Sequence, residues 1–172
     1  MVVIGSGVAG LMSALELPDS SRVLLLSRDI STPPASRWAQ GGLAAAIGPD
    51  DSPALHRCDT LAAGAGLCEP MAVDCLVEKA PGCIRNLLSL GLNLDRQGES
   101  LSTTLEAAHS RRRVLHARDQ TGLALVELLE HCIENRPNVT WWRGAIALQL
   151  LQTSGRCSGV QVLHNGVLGW LS

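Results

Sequence analysis

The sequence predicts an α/β fold that opens as a strand–helix–strand unit and closes as an antiparallel β-meander. Two observations point to the opening: the apolar run Met1-Val-Val-Ile leads straight into Gly5-Ser-Gly-Val-Ala-Gly10, and a second apolar run, Arg22-Val-Leu-Leu-Leu26, follows the break at Pro18-Asp-Ser-Ser. The third lies near the C-terminus, where Thr153-Ser-Gly-Arg156 and His164-Asn-Gly166 separate apolar runs, and Asn-Gly in that setting is a hairpin signal.

Taken in order, Met1-Val-Val-Ile is a short buried strand, Leu11 to Leu17 has helical spacing, and Arg22 to Leu26 is the second strand. Pro33-Pro34 mark a loop. Residues 39–48, AQGGLAAAIG, are too small and glycine-rich for an exposed helix, so they are expected to pack against another element. Pro70 to Gly91 reads as two helical pieces, with Pro81 starting the second and Gly91 capping it. Thr121 to Arg136 is a helix whose apolar stripe is Leu123, Leu125, Val126, Leu128, Leu129, Cys132 and Ile133, with Asp119 and Thr121 as capping residues. Val139 to Leu151, Cys157 to Leu163 and Val167 to Leu171 are the strands of the meander.

Length and composition narrow the function. A chain of 172 residues with 46% hydrophobic residues is large enough for one domain with a packed core. Its net charge of −2 argues against a nucleic-acid or anionic-membrane partner, and the four tryptophans do not accompany the arginines as base-stacking residues would. No apolar run reaches the roughly 20 residues that span a bilayer. The six cysteines show no CxxC spacing, so neither a metal site nor a disulfide framework is expected, and the thiols fit a cytoplasmic protein.

GSGVAG matches G-x-G-x-x-G in its required context, after a strand and at the start of a helix. Gly5 permits the tight turn, Gly7 lets a pyrophosphate approach the backbone, and Gly10 allows close helix–strand packing. The helix N-terminus offers free N–H groups and a positive partial charge to phosphates. A Rossmann-like dinucleotide site is therefore expected. The acid that usually binds ribose is not at the end of the second strand, which reads Ser27-Arg28-Asp29. Either Ser27 and Arg28 meet the adenosine differently or Asp29 fills the role one step later. The loop alone leaves NAD and FAD open.

Several stretches taken together resemble the L-aspartate oxidase family, a relative of the succinate dehydrogenase and fumarate reductase flavoproteins. They are GSGVAGL, SRWAQGGLAA (36–45), DTLAAGAGLCE (59–69), TTLEAAHSRRRVLHARDQTG (103–122) and RPNVTWWRG (136–144). The resemblance implies non-covalent FAD on a Rossmann-like domain and oxidation of L-aspartate to iminoaspartate, the first step towards quinolinate and NAD. It implies pyrophosphate binding by Gly5, Ser6, Gly7, Val8, Ala9 and Gly10, and an adenosine contact at Arg28. Ser36, Arg37, Trp38, Ala39, Gln40, Gly41 and Gly42 would line the flavin. Covalent relatives carry a histidine where this chain has Ala35. Glu106 would face the substrate's amino group as the catalytic-site carboxylate, with His109, Ser110, Arg112 and Arg113 as substrate-side candidates.

By the same resemblance, oxygen or fumarate accepts the electrons and quinolinate synthase is a functional partner. Residues 1–172 would be the N-terminal part of an FAD-binding domain that is incomplete relative to the family, without its capping and C-terminal domains. The chain alone is then expected to bind FAD weakly and to lack turnover. A fumarate reductase or succinate dehydrogenase-type fragment and a non-catalytic cofactor-binding module from a truncated gene are the competing readings. The densest charge lies in HSRRRVLHARDQTG, residues 109–122, where the same side chains either meet a dicarboxylate or tie neighbouring loops together.

Overall fold

A computed structural model describes residues 1–28, 31 and 33–172. The chain forms two compact units, Met1–Trp38 with Leu125–Ser172, and Ala39–Ala124. Asp29, one of the sequence candidates for the ribose contact, lies outside the described residues.

The first unit is built on a parallel sheet. Strand β1 (Val2–Ile4) leads into helix α1 (Val8–Glu16), which returns the chain to β2 (Val23–Ser27) parallel to β1. This is the βαβ unit that the two apolar runs predicted, but β1 is not the buried strand expected: it lies at the edge of the sheet with Val2 and Ile4 exposed. β2 is central and its Val23, Leu25, Leu26 and Ser27 are buried, because helices and strands cover both faces. Leu11 and Ala14 of α1 are fully buried. A 3-10 turn, Ala35–Trp38, ends the unit's first segment.

Helix α4 (Thr121–Glu134) follows the sequence prediction closely: Leu125, Val126, Leu129 and Ile133 are buried, while Leu123, Leu128 and Cys132 are half-buried. Its start differs. The Thr121 hydroxyl accepts the Ala117 N–H at 3.1 Å, and it is the Gln120 carbonyl that receives the first helical bond, from Ala124. Thr121 therefore closes the preceding turn instead of capping the helix.

Beyond α4 the single long strand expected over 139–151 is two strands. β8 (Val139–Arg143) adds to the parallel sheet beside β2, whereas β9 (Ile146–Thr153) belongs to the meander. The break is Gly144, at φ +78°, followed by Ala145, whose N–H donates to the Ser27 carbonyl at 2.8 Å. Only a change of backbone direction there lets one apolar run serve two sheets. β9, β10 (Arg156–His164) and β11 (Val167–Leu171) form the expected antiparallel meander. Its tight turns have positive φ at both central residues, Ser154-Gly155 and Asn165-Gly166, the conformation that two-residue hairpins favour. Val160 and Val162 pack with Leu26 and Ala145 to join meander and parallel sheet.

The second unit combines two long helices with short strands. Helix α2 (Pro53–Ala63) was not anticipated from the sequence, although Ser52 caps it through the Leu55 N–H and Pro53 occupies its first turn. Pro70–Leu90 is one continuous helix, α3, where two pieces were expected. Pro81 removes one backbone bond, but Val73, Val77 and Ile84 form a buried stripe on both sides of it, and that packing holds the helix together. Gly91 caps α3 at φ +108° as foreseen, with its own N–H on the Leu87 and Leu88 carbonyls and the Leu92 N–H on Leu87. Five short strands complete the unit: β3 (Leu43–Ala44), β4 (Arg96–Gln97), β5 (Ser100–Leu101), β6 (Thr103–Thr104) and β7 (Val114–Leu115). β7 lies between β3 and β6, and β4 pairs with β5. Among the described residues no helix is long and apolar enough to cross a membrane.

Candidate functional site

In the first unit the glycine loop sits where β1 ends and α1 begins. Gly5 has φ +104°, a conformation that L side chains rarely adopt, and its N–H is held by the Leu26 carbonyl at 2.8 Å. A Cβ on Gly10 would stand 1.9 Å from the Gly5 carbonyl oxygen, so the first turn of α1 touches the loop directly. Gly7 is the extended N-cap of α1, and a Cβ there would lie 3.2 Å from Ser36 Oγ. Ser36 in turn accepts the Val8 N–H at 3.3 Å. Ser6 and Val8 are half-covered and Ala9 is exposed.

Beside this loop lies an open cleft of about 370 Å³, lined by Gly5, Ser6, Gly7, Arg28, Pro34 and Ala35 together with residues of β2 and β9. It joins bare backbone, a helix N-terminus with no acidic residue in its first turn, and one cationic side chain, which is a donor set suited to phosphate. Ser27 does not face a ligand with its hydroxyl, which accepts the Trp141 indole N–H at 2.8 Å. Ser27 and Arg28 both line the cleft, and Arg28 is the one that brings a charge to it. Arg37 turns elsewhere, pairing with Glu127 at 2.9 Å and lying 3.6 Å from Glu130. Burial pushes the Glu130 carboxyl above the usual range, against the opposing charges of Arg37 and Arg143. Trp38 is exposed.

In the second unit Ala39, Gln40 and Gly41 are exposed. Gly42 is packed so tightly against β7 that a Cβ would lie 2.4 Å from Val114 Cγ1 and 2.5 Å from the Leu115 carbonyl oxygen. Gly41 has open space where its side chain would be. The packing expected of residues 39–48 therefore holds only from Gly42 onward, where Ala45 is fully buried, while Ala39, Gln40 and Gly41 stay open.

The arginine-rich stretch sorts into distinct roles. Arg113 is fully buried and grips the equally buried Asp51 with two parallel bonds, Nε to Oδ2 and Nη2 to Oδ1, both 2.8 Å. Its Nη1 donates to Asp59 Oδ2 at 2.5 Å and reaches His109 Nδ1 at 3.2 Å. Since a guanidinium only donates, His109 Nδ1 accepts and carries no proton. Ser110 closes the same cluster, giving both its N–H and its hydroxyl to Asp59 at 2.8 Å.

Those bonds bring the Asp59 carboxyl down to about 2, the Ser110 backbone N–H contributing most. Burial alone would raise Asp51, but the Arg113 bonds and the Ser52 amide outweigh it and leave Asp51 below its usual value. Arg113 is raised, chiefly by its bonds to Asp51. His56, buried against this cluster with its ring 5.6 Å from His109, is pushed down by burial and by the Arg113 charge.

Arg113, His109 and Ser110 are thus tied to neighbouring loops, the second of the two roles that the sequence left open for them. Asp51, which the sequence reading did not single out, is the counter-ion. Arg112 is exposed and has no ion pair among the described residues.

Glu106 is also exposed, and His116 Nε2 lies 3.0 Å from its carboxylate and 2.9 Å from Thr104 Oγ1. His116 too was passed over in the sequence, where a lone histidine among arginines gives no sign of a contact ten residues back. The pairing of β6 with β7 makes that contact.

A profile of the FAD binding domain family matches residues 1–168. The chain is 53% identical to an L-aspartate oxidase of Synechocystis sp. over 96% of its length and 47% identical to one of Nostoc sp. over 99%; it spans 30% of the length of each. Among solved structures, a quinol-fumarate reductase with menaquinol superposes with a TM-score of 0.91 at 25% identity, covering 99% of this chain and 30% of that one. An E. coli quinol fumarate reductase variant gives 0.89 at 25% identity, covering 94% and 28%. The residues present fit the cofactor in their own right: a glycine loop closed to any side chain at position 10, a helix N-terminus and a cationic cleft. This chain belongs to the FAD binding domain family, and FAD is its cofactor.

Proposed function

We propose that the chain carries the N-terminal part of the FAD-binding domain of an enzyme that oxidises L-aspartate to iminoaspartate. The observation that carries the reading is the 53% identity to an L-aspartate oxidase across 96% of the chain, joined to a glycine loop that retains its cradle in three dimensions.

In this reading residues 5–10 hold the pyrophosphate with backbone N–H groups and Arg28 lies by the adenosine. Ser36, Trp38, Ala39, Gln40, Gly41 and Gly42 line the flavin, and Arg37, turned away, braces the segment through Glu127. Bound FAD supplies the two-electron acceptor for an amino acid's α-carbon. Gly41, open on its side-chain side, lets backbone approach a flat ring, while Gly42 fixes the loop against β7. Glu106 pairs with the α-ammonium group and selects an amino acid over a plain dicarboxylic acid. Arg112, exposed and without a carboxylate partner among the described residues and next to the anchored Arg113, is the cation offered to a substrate carboxylate.

Ala35 supports non-covalent FAD, since it offers no nucleophile to the ring. Six free cysteines support a reducing, cytoplasmic setting. An iminoaspartate product supports a functional link to quinolinate synthase.

The test is to put the chain in place of the segment it matches in the Synechocystis L-aspartate oxidase, purify that hybrid with FAD, precipitate it with acid and read the flavin spectrum of both fractions. It is followed by anaerobic titration with L-aspartate and with succinate. Flavin released to the supernatant and bleached by L-aspartate alone is the expected result. Flavin retained in the pellet, or bleached by succinate, favours a fumarate reductase-type enzyme, the second reading that the structural likeness supports.

A further inference from the structure

Resting on the reading of Glu106 as the partner of the substrate's ammonium group, we propose that His116 is the positioning residue that holds the Glu106 carboxylate for that contact. Glu106 is exposed on the segment between β6 and β7, and an unrestrained carboxylate there samples several rotamers. The His116 ring is better held. Its side chain is mostly covered, and its backbone carbonyl accepts the Asp95 N–H at 2.8 Å directly after β7.

The protonation pattern follows from the partners. An ionised carboxylate only accepts, so the 3.0 Å contact to Glu106 Oε1 places the ring proton on Nε2. Thr104 Oγ1, 2.9 Å from the same nitrogen, is then a second acceptor, and its own hydroxyl proton points to the Val114 carbonyl at 3.4 Å. One N–H is shared between a fixed hydroxyl on β6 and the mobile carboxylate. With the proton on Nδ1 instead, Glu106 would face a lone pair and lose its anchor.

The same ring abuts the segment assigned to the flavin: a Cβ on Gly42 would lie 2.8 Å from His116 Cε1. His116 therefore bridges the glycine that fixes the flavin-side loop and the carboxylate that meets the amine. Its action is to set where Glu106 stands.

Two measurements on the same hybrid enzyme with FAD test this. Nitrogen-15 NMR of the histidine rings is expected to show His116 as a single Nε2–H tautomer; a dominant Nδ1–H tautomer overturns the proposal whatever the ligands do. In calorimetry, His116→Leu is expected to weaken L-aspartate about tenfold and to leave succinate, which lacks the amine, within about twofold. His116→Gln, which keeps an N–H near the Nε2 position, is expected to restore most of that loss. Equal weakening of both ligands makes His116 a packing residue and overturns the proposal. Wild-type protein that fails to prefer L-aspartate, with the Nε2–H tautomer intact, overturns it through the reading of Glu106. A wild-type preference that His116→Leu leaves untouched overturns it through His116 alone.

Discussion

Arg113 and Asp51 face each other with both side chains fully buried, joined by two 2.8 Å hydrogen bonds in the fork geometry that only arginine provides. Asp59 takes the remaining edge of the guanidinium and passes the constraint to Ser110 and the loop that carries Glu106. A charge stretch that reads like a ligand patch in one dimension is anchored from below by one of its own arginines.

Removing that anchor leaves an uncompensated buried carboxylate. Arg113→Met is expected to cost about 3–5 kcal/mol. Arg113→Lys is expected to recover only part of it, because an ammonium cannot form the paired bonds. Urea denaturation followed by circular dichroism measures both; a loss of under about 1 kcal/mol for Arg113→Met would show that the cluster does not hold the unit.

The cluster also sets an acid limb. Asp59 titrates at about 2 in the folded chain against 3.8 in the unfolded one, so its stabilisation is complete above the higher value and is lost as pH falls towards the lower. His56 acts earlier. Its folded value lies below the ordinary 6.5, so the unfolded chain takes up the proton first and stability declines as pH drops below that point. Denaturant midpoints measured from pH 8 to pH 2 should fall in two stages, with the first flattened in His56→Gln and the second in Asp59→Asn.

The three glycines of the loop should separate in their effects. Gly10→Ala meets backbone oxygen at 1.9 Å and is expected to disrupt both folding and FAD binding. Gly5→Ala strains a φ of +104° by about 1–2 kcal/mol. Gly7→Ala meets the Ser36 hydroxyl at 3.2 Å and Pro34 at an ordinary 3.9 Å, so it is expected to keep the fold and weaken FAD. Flavin content after gel filtration, beside the thermal midpoint, distinguishes these outcomes; a Gly7→Ala protein with full flavin content contradicts the role given to its backbone.

Gly41 and Gly42 make a parallel pair. Gly42→Ala drives a methyl into Val114 and the Leu115 carbonyl and is expected to destabilise the second unit by about 1–3 kcal/mol. Gly41→Ala enters open space and is expected to leave stability unchanged while reducing flavin affinity. Comparing thermal midpoints with FAD titrations separates a packing glycine from a ligand-facing one.

Local patterns were the most legible part. β1, α1, β2 and the two meander hairpins rest on apolar runs and on Gly and Asn-Gly turns whose meaning does not depend on distant contacts. α4 declared its buried face by spacing alone. The failures share one cause: a local signal with two permitted meanings. Pro81 fits a helix start as well as a helix interior, and only the burial of Val73, Val77 and Ile84 decides for one helix. Val139 to Leu151 is one apolar run, yet Gly144 sends its halves to different sheets. The Ser52-Pro53 start of α2 was present to be read, and the run after it lacked a strong apolar stripe.

For the site, the sequence by itself determined the cofactor loop, because glycine at positions 5, 7 and 10 is a backbone requirement imposed within a few residues. It also determined the resemblance that names FAD. It did not determine what each arginine does. Arg111, Arg112 and Arg113 are chemically identical in one dimension, and only the folding of Asp51 and Asp59 over the third makes it structural. The Glu106–His116 contact likewise exists because β6 pairs with β7. Charge and glycine can be read along the chain; the partner of a side chain is chosen by elements that meet only in the folded protein.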